Sequence, residues 1–477
     1  MTSSDQRVQT IAATVELARR RLVPFAGLVQ PKYQGAAHTR LLCDRLEALE
    51  RRDIRRLLVA MPPRHGKSLH VAQTFPAWVL GRNPSAQIIV ASYAAELAES
   101  HGRRIRDLVR FDRYAFKTSV SETSSSASRW NTTAGGAVVS AGVGGGLTGF
   151  GADLLVVDDY CAGRDDADSP LQRERVWSWF TEVALTRLQP GGCVIVCATR
   201  WHEDDLSGRI LSGDQADQWE VLELPALAVE DDALGREPGE ALWPAWFDRE
   251  HLQRLRQTIG SRAFSALYQQ APSPAQGVLF QRNWFGNRYE VAPGGLFIVQ
   301  TLDGAWRTGV ANDPSVIATW GLQLDGAQVA RFYLLDVWRD KVEFPDLVNA
   351  VKQQYQLRRP ARVICEDAAS GLAIVAELQR NSAIPIVGVR PQGSKTARAE
   401  AVTPHFEAGR VFLPRNASWL EEWISEHLRF PAGKHDDMVD TTSLALSELG
   451  LIAERSRIAE RYRAYCERAD RNLTLVR

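Results

Sequence analysis

The sequence predicts two consecutive α/β domains, and three observations support this prediction. The chain has 477 residues, enough for more than one buried core, and its 45% hydrophobic and 24% charged residues are ordinary for a folded protein. Short β-rich runs alternate with helical patterns over residues 55–225, which is typical of a mainly parallel sheet flanked by helices. A connector, APSPAQG at 271–277, precedes a second alternation of the same kind. We therefore expect a domain boundary near residue 275.

Charge, cysteine spacing and the absence of long apolar runs limit the classes of protein that this sequence can represent. The 57 basic residues balance the 57 acidic ones, so any contact with nucleic acid must come from a local patch. Only seven of the basic residues are lysines, which draws attention to a lysine at a motif position. The six cysteines lack zinc-site spacing, the N-terminus lacks the pattern of a signal peptide, and no run of about eighteen apolar residues occurs. These features predict a cytoplasmic protein without a membrane segment.

The segment MPPRHGKS at residues 61–68 predicts a phosphate-binding loop. It directly follows a strand-like run and precedes an apolar helical stretch. Such a loop needs backbone amides at a helix N-terminus, a glycine where the chain passes close to phosphate oxygens, a lysine for the β- and γ-phosphates and a hydroxyl for Mg²⁺. Gly66, Lys67 and Ser68 fit these roles.

Two residues of the loop need separate comment. Met61 stands where the usual pattern has its first glycine, and a helix start that happens to read GKS is the alternative interpretation. Arg64 lies inside the loop, where its guanidinium could stabilise charge on the γ-phosphate; a solvent-facing arginine is the alternative.

Two further strands end in residues that suit nucleotide hydrolysis. The run DLLVVDD at 153–159 predicts a strand that ends in adjacent carboxylates, with Asp158 for the metal and Asp159 to polarise the attacking water. Acidic residues of a surface loop are the alternative. The strand CVIVCAT ends at Thr199 and Arg200, which are placed to sense the γ-phosphate.

Acidic residues mark three separated points of the second half. Asp303 and Glu366 each end a strand-like run, and Asp436, Asp437 and Asp440 open an apolar helix. Residues three or four apart share a helix face, so Asp440 can join one of the other two helix aspartates in a single site. Carboxylate oxygens are the ligands that Mg²⁺ and Mn²⁺ prefer, and two such ions suit phosphodiester hydrolysis. Solubilising acidic residues at strand ends are the alternative.

With both sites in view, the chain resembles the large terminase subunit of tailed double-stranded DNA bacteriophages and of their prophage and gene-transfer-agent relatives. The resemblance covers roughly residues 35–450. It rests on the segments MPPRHGKS, ASYAAELAES, VGGGLTGFGADLLVVDDY, ATRWHEDDLSGRI, ALWPAWF, ALYQQAPSPAQG, ICEDAASG and FPAGKHDDMVD. Such subunits package DNA into the prohead with an ATP-driven motor and cut concatemeric DNA with a nuclease.

The resemblance implies an ASCE-type P-loop ATPase domain followed by an RNase H-like α/β nuclease domain. The implied divisions are an N-terminal segment at 1–34, the ATPase domain at 35–275 with a lid-like part near 225–270, the nuclease domain at 276–450 and an Arg-rich tail at 451–477. The implied cofactors are ATP and Mg²⁺, with Mn²⁺ able to replace Mg²⁺ in the nuclease. The implied partners are double-stranded DNA, the small terminase subunit and the portal protein, on which the chain would form a ring.

The resemblance also assigns roles to individual residues. The residues implied in ATP binding and hydrolysis are Arg64, Gly66, Lys67, Ser68, Asp158, Asp159, Thr199 and Arg200, of which Ser68 and Asp158 would hold the metal. The implied nuclease ligands are Asp303, Glu366 and Asp437, with Asp436 and Asp440 as close competitors. Tyr33 and His38 match the adenine-side region only loosely.

Two alternatives stay open at the level of sequence. One is a non-viral P-loop helicase or translocase whose acidic second domain is inactive. The other is a nucleotide-sensing switch in an assembly protein, which would bind a nucleotide without hydrolysing it.

Overall fold

The computed structural model describes residues 3–30, 32–147, 149–272, 279–304, 314–325, 328–367, 369–433 and 435–474. The chain divides into two compact units, Met1–Ala275 and Gln276–Arg477. None of the helices in these described ranges combines the length and apolar character that a membrane span requires.

The first unit is built on a mainly parallel sheet. Its strands are β1 (Arg56–Ala60), β2 (Gln87–Ser92), β3 (Val120–Ser125), β4 (Arg129–Thr132), β5 (Ala137–Gly142), β6 (Ala152–Asp158), β7 (Leu188–Ala198) and β8 (Glu220–Glu223). They lie in the order β3-β4-β5-β2-β6-β7-β1-β8, and only β3 and β4 pair in antiparallel fashion with their neighbours. The carboxyl ends of β1, β6 and β7 therefore meet at one edge of the sheet.

The first unit contains helices that pack on both faces of this sheet and two, in the 225–270 region, that form a separate small core. They are α1 (Ser3–Arg20), α2 (Leu22–Val29), α3 (Ala37–Glu50), α4 (Phe75–Arg82), α5 (Ala95–Val109), α6 (Arg164–Asp168), α7 (Pro170–Ser178), α8 (Leu206–Ser212), α9 (Arg249–Ile259) and α10 (Ser261–Leu267). Wide π turns at Leu69–Thr74 and Trp179–Ala184 and short 3-10 turns at Leu185–Arg187 and Ala216–Gln218 complete the helical structure. Leu57, Leu58 and Val59 of β1 are all fully buried, as expected for a strand covered on both faces.

Local sequence explains several helix boundaries. Ser169 caps α7, with its side chain accepting a hydrogen bond from the Gln172 backbone, and Pro170 is the first helical residue. The π turn before α4 precedes Pro76, whose ring nitrogen cannot donate the next helical hydrogen bond. The helix after the phosphate loop is therefore wide at the turn closest to the loop.

The ends of the first unit also have defined packing. Leu22 and Phe25 of α2 are fully buried, and the Trp78 indole donates a hydrogen bond to the Ala18 carbonyl at 3.0 Å. The first 34 residues thus contribute to the core of this unit. In the 225–270 region, a separate small core forms from Ala226, Ala241, Leu252 and Phe264.

The second unit has a mixed sheet. Its strands are β9 (Arg288–Tyr289), β10 (Phe297–Asp303), β11 (Ser315–Leu324), β12 (Ala330–Asp340), β13 (Arg362–Glu366), β14 (Ile386–Val389) and β15 (Val411–Pro414). They lie in the order β14-β13-β10-β11-β12-β15-β9, with β10, β11 and β12 antiparallel and β13 parallel to β10. The helices are α11 (Phe344–Arg358), α12 (Ala369–Asn381), α13 (Lys395–Glu407), α14 (Leu420–Arg429) and α15 (Asp437–Thr474), with a 3-10 turn at Arg282–Phe285.

The last helix extends beyond the predicted nuclease boundary. The predicted Arg-rich tail begins at residue 451, but α15 continues without a break to Thr474. Ala453 is buried in the core of the unit, and the Arg457 side chain donates to the Gln328 carbonyl at 2.6 Å. The helix continues because the arginines and alanines of this segment favour helix, and because the segment contains no glycine or proline.

Candidate active sites

A cavity of about 630 Å³ lies at the phosphate loop, against the carboxyl end of β6. Its lining includes Arg64, Gly66, Lys67, Ser68, His101 and Asp159. The structure thus brings together the predicted loop residues and the second of the two predicted carboxylates. His101 is a residue of α5 that the sequence did not single out.

The backbone around this cavity adopts uncommon conformations. Gly66 has φ +89°, a conformation that favours glycine. Arg64 and Asp159 have φ +62° and +49°, although each carries a side chain. Left-handed non-glycine residues cluster at functional sites, where surrounding structure holds them in place.

Lys67 and Asp159 form an ion pair across the cavity. The Lys67 ammonium lies 3.1 Å from both carboxylate oxygens of Asp159. Burial opposes the charge on Lys67, but Asp159 and Asp158 outweigh this effect and raise the pKa of the lysine. Burial and the negative charge of Asp158 raise the pKa of Asp159. Lys67 is therefore charged and positioned for phosphate oxygens.

Asp158 is fully buried at the end of β6, and its carboxylate faces His101. Neither oxygen has a nitrogen or oxygen hydrogen-bond donor of good geometry among the described residues. The His101 Nε2 atom lies 3.3 Å from Asp158 Oδ2, and the Gln73 amide nitrogen lies 3.1 Å from His101 Nδ1. Because the Gln73 amide donates to Nδ1, the imidazole proton is on Nε2 and faces the carboxylate. A buried carboxylate with unused lone pairs fits a Mg²⁺ ligand.

Thr199 and Arg200 follow β7 but have different surroundings. The Thr199 hydroxyl donates to the Met61 carbonyl at 3.3 Å, and its backbone amide bonds to the Asp159 carboxylate. Thr199 therefore connects the phosphate loop to the adjacent carboxylate. Arg200 instead forms a buried ion pair with Asp205, 3.0 Å from each oxygen, and is directed at that residue.

Histidine side chains form hydrogen bonds to backbone carbonyl groups of the phosphate loop. His38 Nε2 donates to the His65 carbonyl at 3.0 Å, and His70 Nδ1 donates to the Gly66 carbonyl at 2.9 Å. The Tyr33 hydroxyl lies 3.1 Å from His70 Nε2 and donates to it. Burial lowers the pKa of all three imidazoles, that of His38 to about 4. Tyr33 and His38, the loosely matched adenine-side residues, thus contact the loop and its helix.

The second unit brings four of the predicted carboxylates together. Asp303 and Glu366 end the adjacent parallel strands β10 and β13, while Asp437 and Asp440 lie in the first turn of α15. Burial, followed by the charges of Asp440, Asp437 and Glu366, raises the pKa of Asp303 to about 7. Like charges disfavour the ionised form of a carboxyl group at short range, so these side chains lie close enough to influence Asp303.

Two basic side chains lie among these carboxylates, and the sequence did not single them out. The Lys395 ammonium lies 2.8 and 2.7 Å from the oxygens of Asp436 and 2.8 Å from Asp440. The Arg398 guanidinium lies 2.8 Å from Glu366 and 3.2 Å from Asp440. Asp436 is partly exposed and sits at the rim of the cluster, whereas Asp440 is buried.

Asp437 faces a different set of partners. The Arg339 guanidinium lies 3.6 Å from Asp437 and 3.5 Å from Glu426. Glu426 also accepts hydrogen bonds from the backbone of Met438 at 2.7 Å and Val439 at 3.3 Å. Glu426 therefore caps the N-terminus of α15 and fixes the turn that carries the two aspartates.

The donor chemistry of the cluster fits divalent metal, because all its candidate ligands are hard carboxylate oxygens. As the side chains stand, no group of three His, Cys, Asp or Glu residues within the described residues is arranged to hold a metal ion. Lys395 and Arg398 occupy several of the oxygens that such an ion would use.

Comparison with known protein families identifies the chain. A family model described as the terminase large subunit, T4likevirus-type, N-terminal, matches residues 58–287, and one described as the terminase RNaseH-like domain matches residues 304–449. The chain belongs to the large terminase family. The family, fold class and function predicted from sequence, a DNA-packaging ATPase joined to a nuclease, are confirmed. No curated protein matches this large terminase.

Several solved structures are similar to this large terminase. One is the large terminase from a thermophilic bacteriophage in complex with ATP-gamma-S, with 12% identity, a TM-score of 0.45 and coverage of 82% of this chain and 93% of that one. The HK97 bacteriophage large terminase has 11% identity, a TM-score of 0.33 and coverage of 82% and 91%. The large terminase nuclease from the thermophilic phage G20c with bound magnesium has 20% identity, a TM-score of 0.26 and coverage of 33% and 84%.

Proposed function

We propose that this large terminase hydrolyses ATP at the phosphate-loop cavity and cuts DNA at the carboxylate cluster formed by Asp303, Glu366, Asp436, Asp437 and Asp440. The observation that carries the proposal is that one chain holds both constellations, each at strand ends of its own sheet. ATP hydrolysis would drive double-stranded DNA into the prohead, and cutting would start and end packaging.

In the ATPase, each residue has a role that its position supports. Gly66 lets the backbone approach the phosphates, and Lys67 neutralises phosphate charge from within the cavity. Ser68 and Asp158 would hold Mg²⁺, which would offset the negative charge of the nucleotide phosphates. Asp159, with its raised pKa, is suited to accept a proton from the attacking water.

The remaining nucleotide-site residues contact the γ-phosphate or couple ATP hydrolysis to movement of the chain. Arg64 is exposed at the cavity rim, where its long side chain can reach the γ-phosphate in the same subunit. Thr199 transmits changes at Asp159 to the phosphate loop through its two hydrogen bonds. Arg200 supports this segment through its pair with Asp205.

In the nuclease, Asp303, Glu366, Asp440 and Asp437 would ligate divalent metal, with Asp436 at the rim. Two Mg²⁺ or Mn²⁺ ions there would activate water and stabilise the leaving oxygen of the phosphodiester. The chain itself orients the ligands, since Glu426 and Arg339 fix the first turn of α15. Cutting through backbone phosphates makes the reaction tolerant of DNA sequence.

The proposal extends to partners and place of action. Contacts between arginines and DNA phosphates would give the motor a sequence-independent grip. The small terminase subunit would present DNA, and the portal protein would seat a ring of large subunits, in the cytoplasm of the bacterial host.

The test uses full-length protein with two single substitutions. Lys67→Ala is expected to lower DNA-stimulated ATP hydrolysis by about 100-fold or more while plasmid cutting with Mn²⁺ continues. Asp303→Asn is expected to abolish cutting while ATP hydrolysis continues. ATP turnover is followed by phosphate release, and cutting by plasmid length on a gel.

Matched controls come from exposed residues of the same units. Lys117→Ala and Asp346→Asn should change neither activity. Loss of both activities in either folded site variant would contradict two independent active sites.

A further inference from the structure

Two positive charges enter the nuclease cluster from the first turn of α13. Lys395 and Arg398 follow the N-cap Ser394, and their i, i+3 spacing places both side chains on one helix face. That face meets the carboxylates at distances of 2.7 to 3.2 Å. The two side chains therefore act on the same site from one rigid element.

Asp440 shows most directly what this arrangement does. One of its oxygens lies 2.8 Å from Lys395 and the other 3.2 Å from Arg398, and its side chain is only 5% exposed. A divalent ion that binds Asp440 must approach these same oxygens. Because like charges a few ångströms apart repel strongly, the ion and the two basic groups compete for the carboxylate.

We propose that Lys395 and Arg398 are resident counter-cations of the nuclease site, which compete with divalent metal for the carboxylates and bind the DNA backbone phosphate once metal displaces them. The inference rests on the proposed nuclease function. It explains why the carboxylates converge without being arranged to enclose an ion.

The charge balance of the cluster supports both halves of the inference. Asp303, Glu366, Asp436, Asp437 and Asp440 together carry five negative charges when ionised. They face the three basic side chains Arg339, Lys395 and Arg398, and Arg339 also pairs with Glu422 and Glu426, so the cluster without metal keeps an excess of negative charge. Two divalent ions would offset this excess, and Lys395 and Arg398 could then attract an anionic phosphate.

The two basic residues differ in access to solvent. The Lys395 side chain is 51% exposed and that of Arg398 is 19% exposed. Lys395 can therefore reorient toward DNA with little rearrangement, as a flexible point charge suited to a phosphate. Arg398 lies deeper, where its planar guanidinium can bind two phosphate oxygens once metal has displaced it from Glu366 and Asp440.

The experiment measures metal binding separately from cutting. Mn²⁺ binding to full-length protein is titrated by calorimetry for wild type and for Lys395→Gln, Arg398→Gln and the double variant. Asp303→Asn serves as the blank, so that binding at the ATPase site is subtracted. We expect the double variant to bind Mn²⁺ about tenfold more tightly, yet to cut plasmid at saturating Mn²⁺ about tenfold more slowly.

Control variants separate charge from structure. Lys395→Arg keeps the charge and should keep the wild-type affinity for Mn²⁺. Lys352→Gln on α11 and Arg380→Gln on α12 remove the same charges from other helices of the unit and should change neither quantity. Thermal unfolding establishes that each variant is folded.

The outcomes are distinct. Unchanged or weaker Mn²⁺ binding in a folded double variant, or undiminished cutting at saturating metal, would overturn the inference while leaving the nuclease function intact. If wild type neither binds Mn²⁺ at this site nor cuts DNA, the proposed nuclease function fails and the inference fails with it.

Discussion

The ATPase and nuclease sites of this large terminase both pair a lysine with aspartates, but in opposite settings. Lys67 is 9% exposed and lies 3.1 Å from Asp159, on a loop whose adjacent residues build most of the site. Lys395 is 51% exposed and joins carboxylates that come from distant parts of the chain. The buried pair is fixed by the fold around it, whereas the exposed pair can exchange partners.

The supporting interactions differ in the same way. Neutral histidines hold the phosphate loop through hydrogen bonds to its carbonyl groups. Charged groups hold the nuclease carboxylates. Arg339 pairs with Asp437, and Arg398 of α13 pairs with Asp440. Salt should therefore loosen the exposed pairs of the nuclease more than the phosphate loop, since screening acts mainly on charges that water reaches.

The largest expected effect distinguishes the three aspartates of α15. Asp440→Asn should slow Mn²⁺-dependent plasmid cutting by about 100-fold or more, Asp437→Asn by less, and Asp436→Asn by less than about tenfold. The order follows from position, since Asp440 and Asp437 are the helix aspartates whose charges act on Asp303, and Asp436 is 34% exposed.

Initial cutting rates on supercoiled plasmid measure this order. ATP hydrolysis should be unchanged in all three variants, and thermal unfolding establishes that the second unit of each variant is folded. If Asp436→Asn slows cutting more than the other two substitutions, α15 presents a different face to the metal than its contacts in this structure indicate.

A second prediction concerns the support of the buried site. His101→Phe should raise the Mg²⁺ concentration needed for half-maximal ATP hydrolysis by about tenfold, because Asp158 loses the only imidazole that approaches it among the described residues. His101→Gln, which keeps an N–H group near Asp158, should restore part of the wild-type Mg²⁺ dependence. The exposed His251→Phe is the matched control.

The Mg²⁺ dependence is the informative measurement for this prediction. A purely structural role for His101 would lower the maximal rate or the thermal stability without changing the requirement for Mg²⁺. That result would remove His101 from the group of residues that position Asp158.

Sequence predicted the contiguous site better than the assembled one. MPPRHGKS and the strand ending in Asp158 and Asp159 specify the phosphate loop because the required groups are neighbours in the chain or end adjacent strands. The strand ends at Asp303 and Glu366 were likewise readable.

The remaining site residues gave no comparable signal. His101 is one polar residue on an amphipathic helix, and its role depends on how α5 packs against β6. Lys395 and Arg398 lie about 90 residues after Asp303 in the chain, so only the tertiary fold brings them to the carboxylates. The scarcity of lysine was the one available signal for Lys395, and it was not specific enough alone.

The smallest expected effect concerns acid and the phosphate loop. The pKa of buried His38 is lowered to about 4, below its ordinary value of 6.5, so the folded state binds this proton less readily than the unfolded state. The stabilisation from neutral His38 is thus fully present above pH 6.5 and is lost as pH falls toward 4. Hydrogen exchange in peptides spanning residues 56–82, corrected for the intrinsic rate at each pH, measures this loss.

The control is a pair of substitutions. His38→Gln should flatten the pH dependence of the corrected exchange rate, and His251→Gln should not. Equal slopes in wild type and His38→Gln would mean that acid acts on this unit through other groups, and the contrast between a loop held by neutral hydrogen bonds and a cluster held by charge would then lose its main support.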